Sequence, residues 1–330
     1  MSRISTDMRR CTLNGPTMGT RWSALFYTVD GFDPQPVCDA LQAAVDEVDT
    51  QMSTWKPDSD LMRLNAGSLG EWMAVSEPLM DVLRLGLDIG RASGGAFDIG
   101  LGDAVVAWGF GPTAADQRLI RSALDFHRCP AHQALELDAK NARARKSAPV
   151  TLDLNGVAKG YGVDRLAAIL HGFGISSALV GIDGEMRAFG LRPDGQAWTV
   201  AVEAPDPACR APHSILTLQD AAVATSGDYR HWVLVGERRL AHTMDPRRGA
   251  PLANAPASVT VVARTCAEAD AWATALTVLG PQAGARLARH LRLDALFLLR
   301  EGGAGIRSEA IGPLFGEKGL IPDDRRRQSP

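Results

Sequence analysis

Five of the 330 residues are cysteine, at positions 11, 38, 129, 209 and 266, and no two of them form a Cys-x-x-Cys pair. The odd count excludes a complete disulfide framework, so free thiols are expected, and without Cys or His pairs at ligand spacing zinc has no donor set to occupy. Long apolar runs are missing as well. The N-terminal MSRISTDMRRCTLNGPTMG is basic but lacks the apolar stretch of a secretory signal, and no later segment approaches a membrane span. As written, the chain is expected to be cytoplasmic, or periplasmic or inner-membrane associated if a leader has been lost. Nor is there an excess of positive charge. The formal net charge is −3, and the dense basic clusters, Arg143 to Lys146 and Arg325 to Arg327, are short and have no interleaved aromatics. Nucleic acid is therefore not expected as a partner. No Gly-x-Ser-x-Gly elbow of a serine hydrolase is present, and the Gly-rich turns have neither the spacing of a Walker loop nor that of a dinucleotide fingerprint.

What is present is ordinary for a soluble globular protein: 45% hydrophobic and 22% charged residues, with 33 glycines that imply many turns or close backbone approaches. Alternation and β-branched content predict a strand over 21–29, and Leu41, Val45, Val48 and Met52 mark one face of a helix from Val37 to Met52. Ser76 and Pro78 open a second helix that Gly94-Gly95 ends. Beyond Pro149, short strands are expected at 150–154, 178–182, 185–189, 197–203, 214–218, 231–235 and 258–264, with helices near 159–171, 266–279 and 282–291. Strands joined by tight turns predict antiparallel sheet with packed helices, an α+β fold.

The segment from Ser258 to Gly280 holds the most specific chemistry. Thr265 and Glu268 have the spacing of a capping box, and from there Asp270, Thr274 and Thr277 share the narrow stripe left by a broad apolar sector. A carboxylate with a hydroxyl one turn later suits a hard cation such as Mg²⁺. It equally suits an Asp favoured by the helix dipole and a Thr bonded back to a carbonyl. In Leu152 to Asp164, LDLNGVAKGYGVD, a Gly-rich turn precedes a helix and sets Lys159 where it could meet a phosphate, or simply solvent. Gly94-Gly95-Ala96-Phe97-Asp98 with Trp108-Gly109-Phe110 could clamp a planar ring, or end a helix ahead of core aromatics. Thr225-Ser226-Gly227-Asp228-Tyr229 and His242-Thr243-Met244-Asp245-Pro246 lie at expected strand ends, and His242 there is a candidate general base or phosphate partner.

Taken in order with Met18-Gly19-Thr20, Ser53-Thr54-Trp55, Ser59-Asp60-Leu61 and Asn65, these segments resemble the ApbE family of flavin transferases from about Pro16 to about Gly280. The resemblance implies a single domain over 15–320, of one or two subdomains in a T-fold-like architecture, with tails at 1–14 and 321–330. It implies Mg²⁺-dependent transfer of the FMN half of FAD to a Thr or Ser hydroxyl of an acceptor protein, releasing AMP. The metal ligands it implies are the backbone oxygen of Ala158 and the side chains of Asp270 and Thr274. Met18, Trp55, Asp60, Phe97, Ser226 and Gly227 would line the FAD site, with Lys159 near it and His242 beside the pyrophosphate. Asn155-Gly156, Ile99 and the run Gly181 to Glu185 depart from the family pattern. The likeness leans toward members supporting respiratory or nitrous-oxide reductase maturation, which makes a respiratory flavoprotein or maturation factor a candidate acceptor without identifying it. The alternatives are an FAD pyrophosphatase yielding FMN and AMP, and a flavin-binding protein without turnover.

Overall fold

The computed structural model describes residues 8–206, 211–228, 232–235, 238–301 and 305–316. Along the chain run β1 (Arg9–Thr17), β2 (Thr20–Thr28), α1 (Gln35–Met52), α2 (Asp60–Ala66), β3 (Met73–Ala74), α3 (Glu77–Ala92), α4 (Gly102–Ala107), α5 (Gln117–Asp125) and α6 (Ala131–Ala134). Next come β4 (Leu135–Asp138), β5 (Arg143–Lys146), α7 (Ala158–Gly172), β6 (Ala178–Ile182), β7 (Glu185–Phe189), β8 (Trp198–Glu203), β9 (Pro212–Leu218) and β10 (Ala221–Gly227). The remainder is β11 (Trp232–Val235), β12 (Arg238–Ala241), β13 (Met244–Asp245), β14 (Ala250–Pro251), β15 (Ser258–Ala263), α8 (Cys266–Leu291), β16 (Asp294–Arg300) and β17 (Ile306–Ile311).

An eight-stranded sheet in the order β1-β2-β6-β7-β10-β15-β16-β17 organises the molecule. Its ladders are antiparallel, in agreement with the α+β expectation. Period-2 alternation sorts its side chains. In β16, Ala295, Phe297 and Leu299 join a core shared with α3 and α8, while Leu296 and Leu298 pack on the opposite face with Trp198, Leu216 and Leu218 of the β8–β9 hairpin. Helices therefore cover one face and a small two-stranded sheet the other. Helix α1 buries Val37, Leu41, Val45, Val48 and Met52, the expected face.

The capping box forms as expected, Thr265 accepting from the Glu268 N–H. The break expected near residue 280 is also there: Gly280 has φ 71°, which favours glycine, and Pro281 follows it. Three expectations need correction. Residues 150–154 join no ladder: the Asn65 side chain accepts from the Leu152 N–H at 2.7 Å and donates to the Leu152 carbonyl at 2.9 Å, while the Asp153 N–H donates to the Ile99 carbonyl and the Thr151 carbonyl accepts from the Gly102 N–H. Strands β1, β3, β4, β5, β10, β12, β13, β14, β16 and β17 are additions, and β1 makes residues 9–14 part of the central sheet where a tail was expected. Tyr229, residue 231 of the strand expected at 231–235, Cys209, the Arg325–Arg327 cluster and the tail at 321–330 lie outside the described residues.

Candidate functional site

Two helix starts meet at the centre of the fold. The first turn of α7 lies against the first turn of α8 so closely that a Cβ on Gly160 would stand 2.4 Å from the Cys266 carbonyl oxygen. Only glycine fits there. The contact is held by carboxylates crossing between the helices. Asp164 of α7 accepts the Cys266 and Ala267 N–H groups, both at 2.9 Å, satisfying donors that a helix start leaves open. Asp270 of α8 accepts the Gly160 N–H at 3.1 Å.

This crossing forms the floor of a cleft of about 1620 Å³. Its walls come from the Met18–Arg21 turn, the end of α1 with Ser53–Lys56, the Ala96–Asp98 turn, residues 183–186, the end of β10, and His242–Met244. Two tight hairpins shape it. Between β1 and β2, Met18 (φ 45°) and Gly19 (φ 72°) make a two-residue turn, and between β6 and β7 Asp183 (φ 55°) and Gly184 (φ 130°) make another. Positive φ at both central positions is what the strand twist favours in such short turns. The Ala96–Asp98 wall is pinned from behind, since Asp98 accepts the N–H groups of Gly100 at 2.8 Å and Ala131 at 3.0 Å.

The floor is acidic, with Asp270 and Glu185 buried in it. Asp270 is 5% exposed. Burial, and next the charge of Glu185, push its pKa up to about 7, while Lys159 and the Gly160 N–H pull the other way. For Lys159, burial disfavours the charge, but Glu185, Asp270 and Asp183 more than offset this and hold its pKa above the usual lysine range. Its Nζ lies 2.8 Å from Glu185 Oε1 and 3.5 Å from Asp183 Oδ2. Glu185 Oε2 is buried with no hydrogen-bond partner. Asp153, in the loop before α7, accepts from the backbone and side chain of Asn155, and burial raises its pKa to about 6.

Of the residues expected at the site, Met18, Trp55, Phe97, Ala158, Lys159, Ser226, Gly227, His242, Asp270 and Thr274 all line this cleft. Asp60 does not. It occupies the first turn of α2 and pairs with Arg63 at 2.7 Å, while its neighbour Ser59 caps that helix and bonds the Ser53 carbonyl. The Ser-Asp-Leu motif thus buttresses the Trp55 wall from behind. Thr274 is turned toward Ser226, with the two hydroxyl oxygens 3.2 Å apart. The threonine bonded back to its own helix is Thr277, which donates to the Ala273 carbonyl at 2.8 Å. Asp183 and Glu185 were not anticipated in the site, although Asp-Gly between two apolar runs is a strong hairpin signal. Asn65 was noted as a motif residue and emerges as the anchor of the 150–154 segment.

The side-chain donors near the α7–α8 crossing are oxygen, the Asp270 carboxylate and the Thr274 hydroxyl, and the backbone of Gly156 and Ala158 lines the cleft beside them. That backbone approaches Thr274 closely, since a Cβ on Gly156 would stand 3.2 Å from Thr274 Oγ1. Among the described residues no three His, Cys, Asp or Glu side chains converge on one point. A buried carboxylate whose charge is disfavoured by its surroundings, beside a hydroxyl oxygen, fits a hard divalent cation.

The family model for the ApbE family matches residues 18–297. The chain is similar to an FAD:protein FMN transferase of Klebsiella pneumoniae (strain 342), with 34% identity over 295 residues, covering 88% of this chain and 84% of that protein. Among solved structures it is similar to the apo form of the Pseudomonas stutzeri flavinyl transferase ApbE, with TM-score 0.80 and 34% identity, covering 92% of this chain and 95% of that one. It is likewise similar to the flavin transferase ApbE of Vibrio cholerae, with TM-score 0.81 and 31% identity, covering 95% of this chain and all of that one. The matched span takes in every segment that walls the cleft, and the chain belongs to the ApbE family.

Proposed function

We infer that this chain is a transferase that moves the FMN half of FAD onto a Thr or Ser hydroxyl of an acceptor protein, with Mg²⁺ as its cation. The observation that carries this reading is the placement of Asp270, Thr274 and Ala158 together on the floor of one large cleft whose walls carry Met18, Trp55 and Phe97. Relatives named FAD:protein FMN transferase support the reaction class. The Asp270 carboxylate, the Thr274 hydroxyl and the Ala158 carbonyl would hold the cation. Held by those residues, a divalent cation would supply positive charge against the diphosphate oxygens.

The remaining work is placement and proton transfer. Phe97, Met18 and Trp55 give apolar faces for the flavin ring, and Ser226 and Gly227 at the end of β10 would lie beside the diphosphate. His242 takes the proton from the acceptor hydroxyl. A bond then forms from that oxygen to the FMN phosphorus, the bond to the bridging oxygen breaks, and AMP leaves carrying it.

Incubating the full chain with FAD, Mg²⁺ and a candidate acceptor protein tests this. Covalent flavin fluorescence on the acceptor is expected. Free FMN formed at a rate independent of acceptor would make the protein a pyrophosphatase, and unchanged FAD with each acceptor tried would make it a flavin binder.

A further inference from the structure

Sequence reasoning sends Lys159 toward a phosphate, yet its ammonium group is already engaged with Glu185 and Asp183. What Lys159 adjoins along the chain is more informative. The Ala158 carbonyl belongs to the peptide that enters Lys159, and the Gly160 N–H that bonds Asp270 belongs to the peptide that leaves it. Restraining the Lys159 side chain therefore acts on both peptides, by limiting how far the first turn of α7 can move from β7. The anchor is rigid: Glu185 is the first residue of β7, directly opposite Ile182 across a two-residue turn, and β6 and β7 lie inside the central sheet between β2 and β10. Glu185 is 5% exposed, and its second carboxylate oxygen is buried without a partner. A carboxylate held in that state for a single ion pair marks a position that packing alone does not explain.

We propose that the Glu185–Lys159 pair is a positioning clamp that ties the first turn of α7 to the β6–β7 hairpin and so holds the Ala158 carbonyl and Asp270 in register to receive the divalent cation. The inference rests on the cation reading given above. It makes Lys159 a support for the cation site and not a ligand of the diphosphate. Partners of this kind, which orient ligands without touching the ion, commonly account for about 10–100-fold in metal affinity.

Binding of Mn²⁺ alone to the full chain, measured calorimetrically and by the loss of the free-ion electron paramagnetic resonance signal, tests the clamp. Glu185→Gln should weaken Mn²⁺ binding about tenfold or more. Lys159→Met should weaken it similarly, even though it deletes a positive charge beside the site. The double variant should be no weaker than either single one, because the pair acts as a unit. Melting temperatures recorded alongside identify any variant that fails to fold, in which case the other single variant carries the test. Tighter or unchanged Mn²⁺ binding by Lys159→Met would show that only net charge matters and would overturn the clamp, as would additive losses in the double variant. Failure of the wild-type chain to bind Mn²⁺ is a separate outcome, which overturns the cation reading and the clamp with it.

Discussion

Replacing Gly160 with alanine probes the crossing of α7 and α8 with one methyl group. An added Cβ would meet the Cys266 carbonyl oxygen at 2.4 Å, its carbon at 2.7 Å and the Ala267 Cα at 2.8 Å, all of them backbone atoms that cannot rotate away. Restoring ordinary contact of about 3.4 Å requires the helix starts to separate by about 1 Å. That opening stretches the 3.1 Å bond from the Gly160 N–H to Asp270 beyond hydrogen-bonding range. Overpacking costs about 1–3 kcal/mol. Loss of a hydrogen bond to a charged group adds about 1.5–3 kcal/mol. Together these lower the melting temperature by about 5–10 °C in a chain of this size. Because the same shift carries the Ala158 carbonyl away from Asp270, Mn²⁺ affinity should fall more than about tenfold. Gly172→Ala is the control: it lies in the same helix, nothing stands within 4 Å of its Cβ position, and its melting temperature should match or slightly exceed wild type. A Gly160→Ala chain that melts within 1 °C of wild type and keeps wild-type Mn²⁺ affinity would refute the crossing as the frame of the site.

Asp270→Ala should abolish flavin transfer and weaken Mn²⁺ binding beyond the ~10–100-fold typical of outer partners, with FAD binding retained; equal transfer rates would remove Asp270 from the site. Asp153 has a folded pKa of about 6 against an ordinary 3.8, so the folded state holds the extra proton between those values. Its contribution is therefore most favourable below about pH 4 and worsens by roughly 3 kcal/mol as pH rises through 6. Asp153→Asn should gain stability relative to wild type as pH rises from 4 to 7.5 in urea titrations, and parallel pH profiles would contradict the assignment. Trp55, 61% exposed on the cleft rim, should matter to ligand and not to fold. Trp55→Ala is expected to raise the KM for FAD about tenfold, from loss of one stacking face, without changing the melting temperature.

Local patterns were readable where local physics decides the outcome. The start of α8, its break at Gly280-Pro281 and the shared stripe of Asp270 and Thr274 follow from capping, backbone and periodicity rules that act within a few residues. What stayed hidden was tertiary. Residues 150–154 alternate like a strand, but their partners are the Asn65 side chain, 87 residues from Leu152, and the backbone of Ile99 and Gly102. Strand β10, AAVATSG, is poor in β-formers and is held extended by its neighbours β7 and β15. The apolar run in β16 fits a buried strand or a buried helix equally well, and periodicity alone does not separate them. At the site, the order of motifs brought ten of the expected residues to one cleft but misplaced Asp60, because closeness in sequence to Trp55 does not decide which way α2 turns it. Glu185 lay inside a segment noted for its departure from the family pattern, and its value emerges only when the hairpin delivers it to Lys159.

On the proposed reading, a divalent cation binds between Ala158, Asp270 and Thr274 against the diphosphate of a bound flavin nucleotide. A crystal of the full chain grown with FAD and Mn²⁺, measured for anomalous scattering at the manganese edge, tests it directly. The account predicts a manganese peak within coordination distance of the Asp270 carboxylate, the Thr274 hydroxyl and the Ala158 carbonyl, with diphosphate oxygens completing its shell. A bound nucleotide whose diphosphate lies elsewhere in the cleft, or a manganese peak away from those three oxygens, would contradict it.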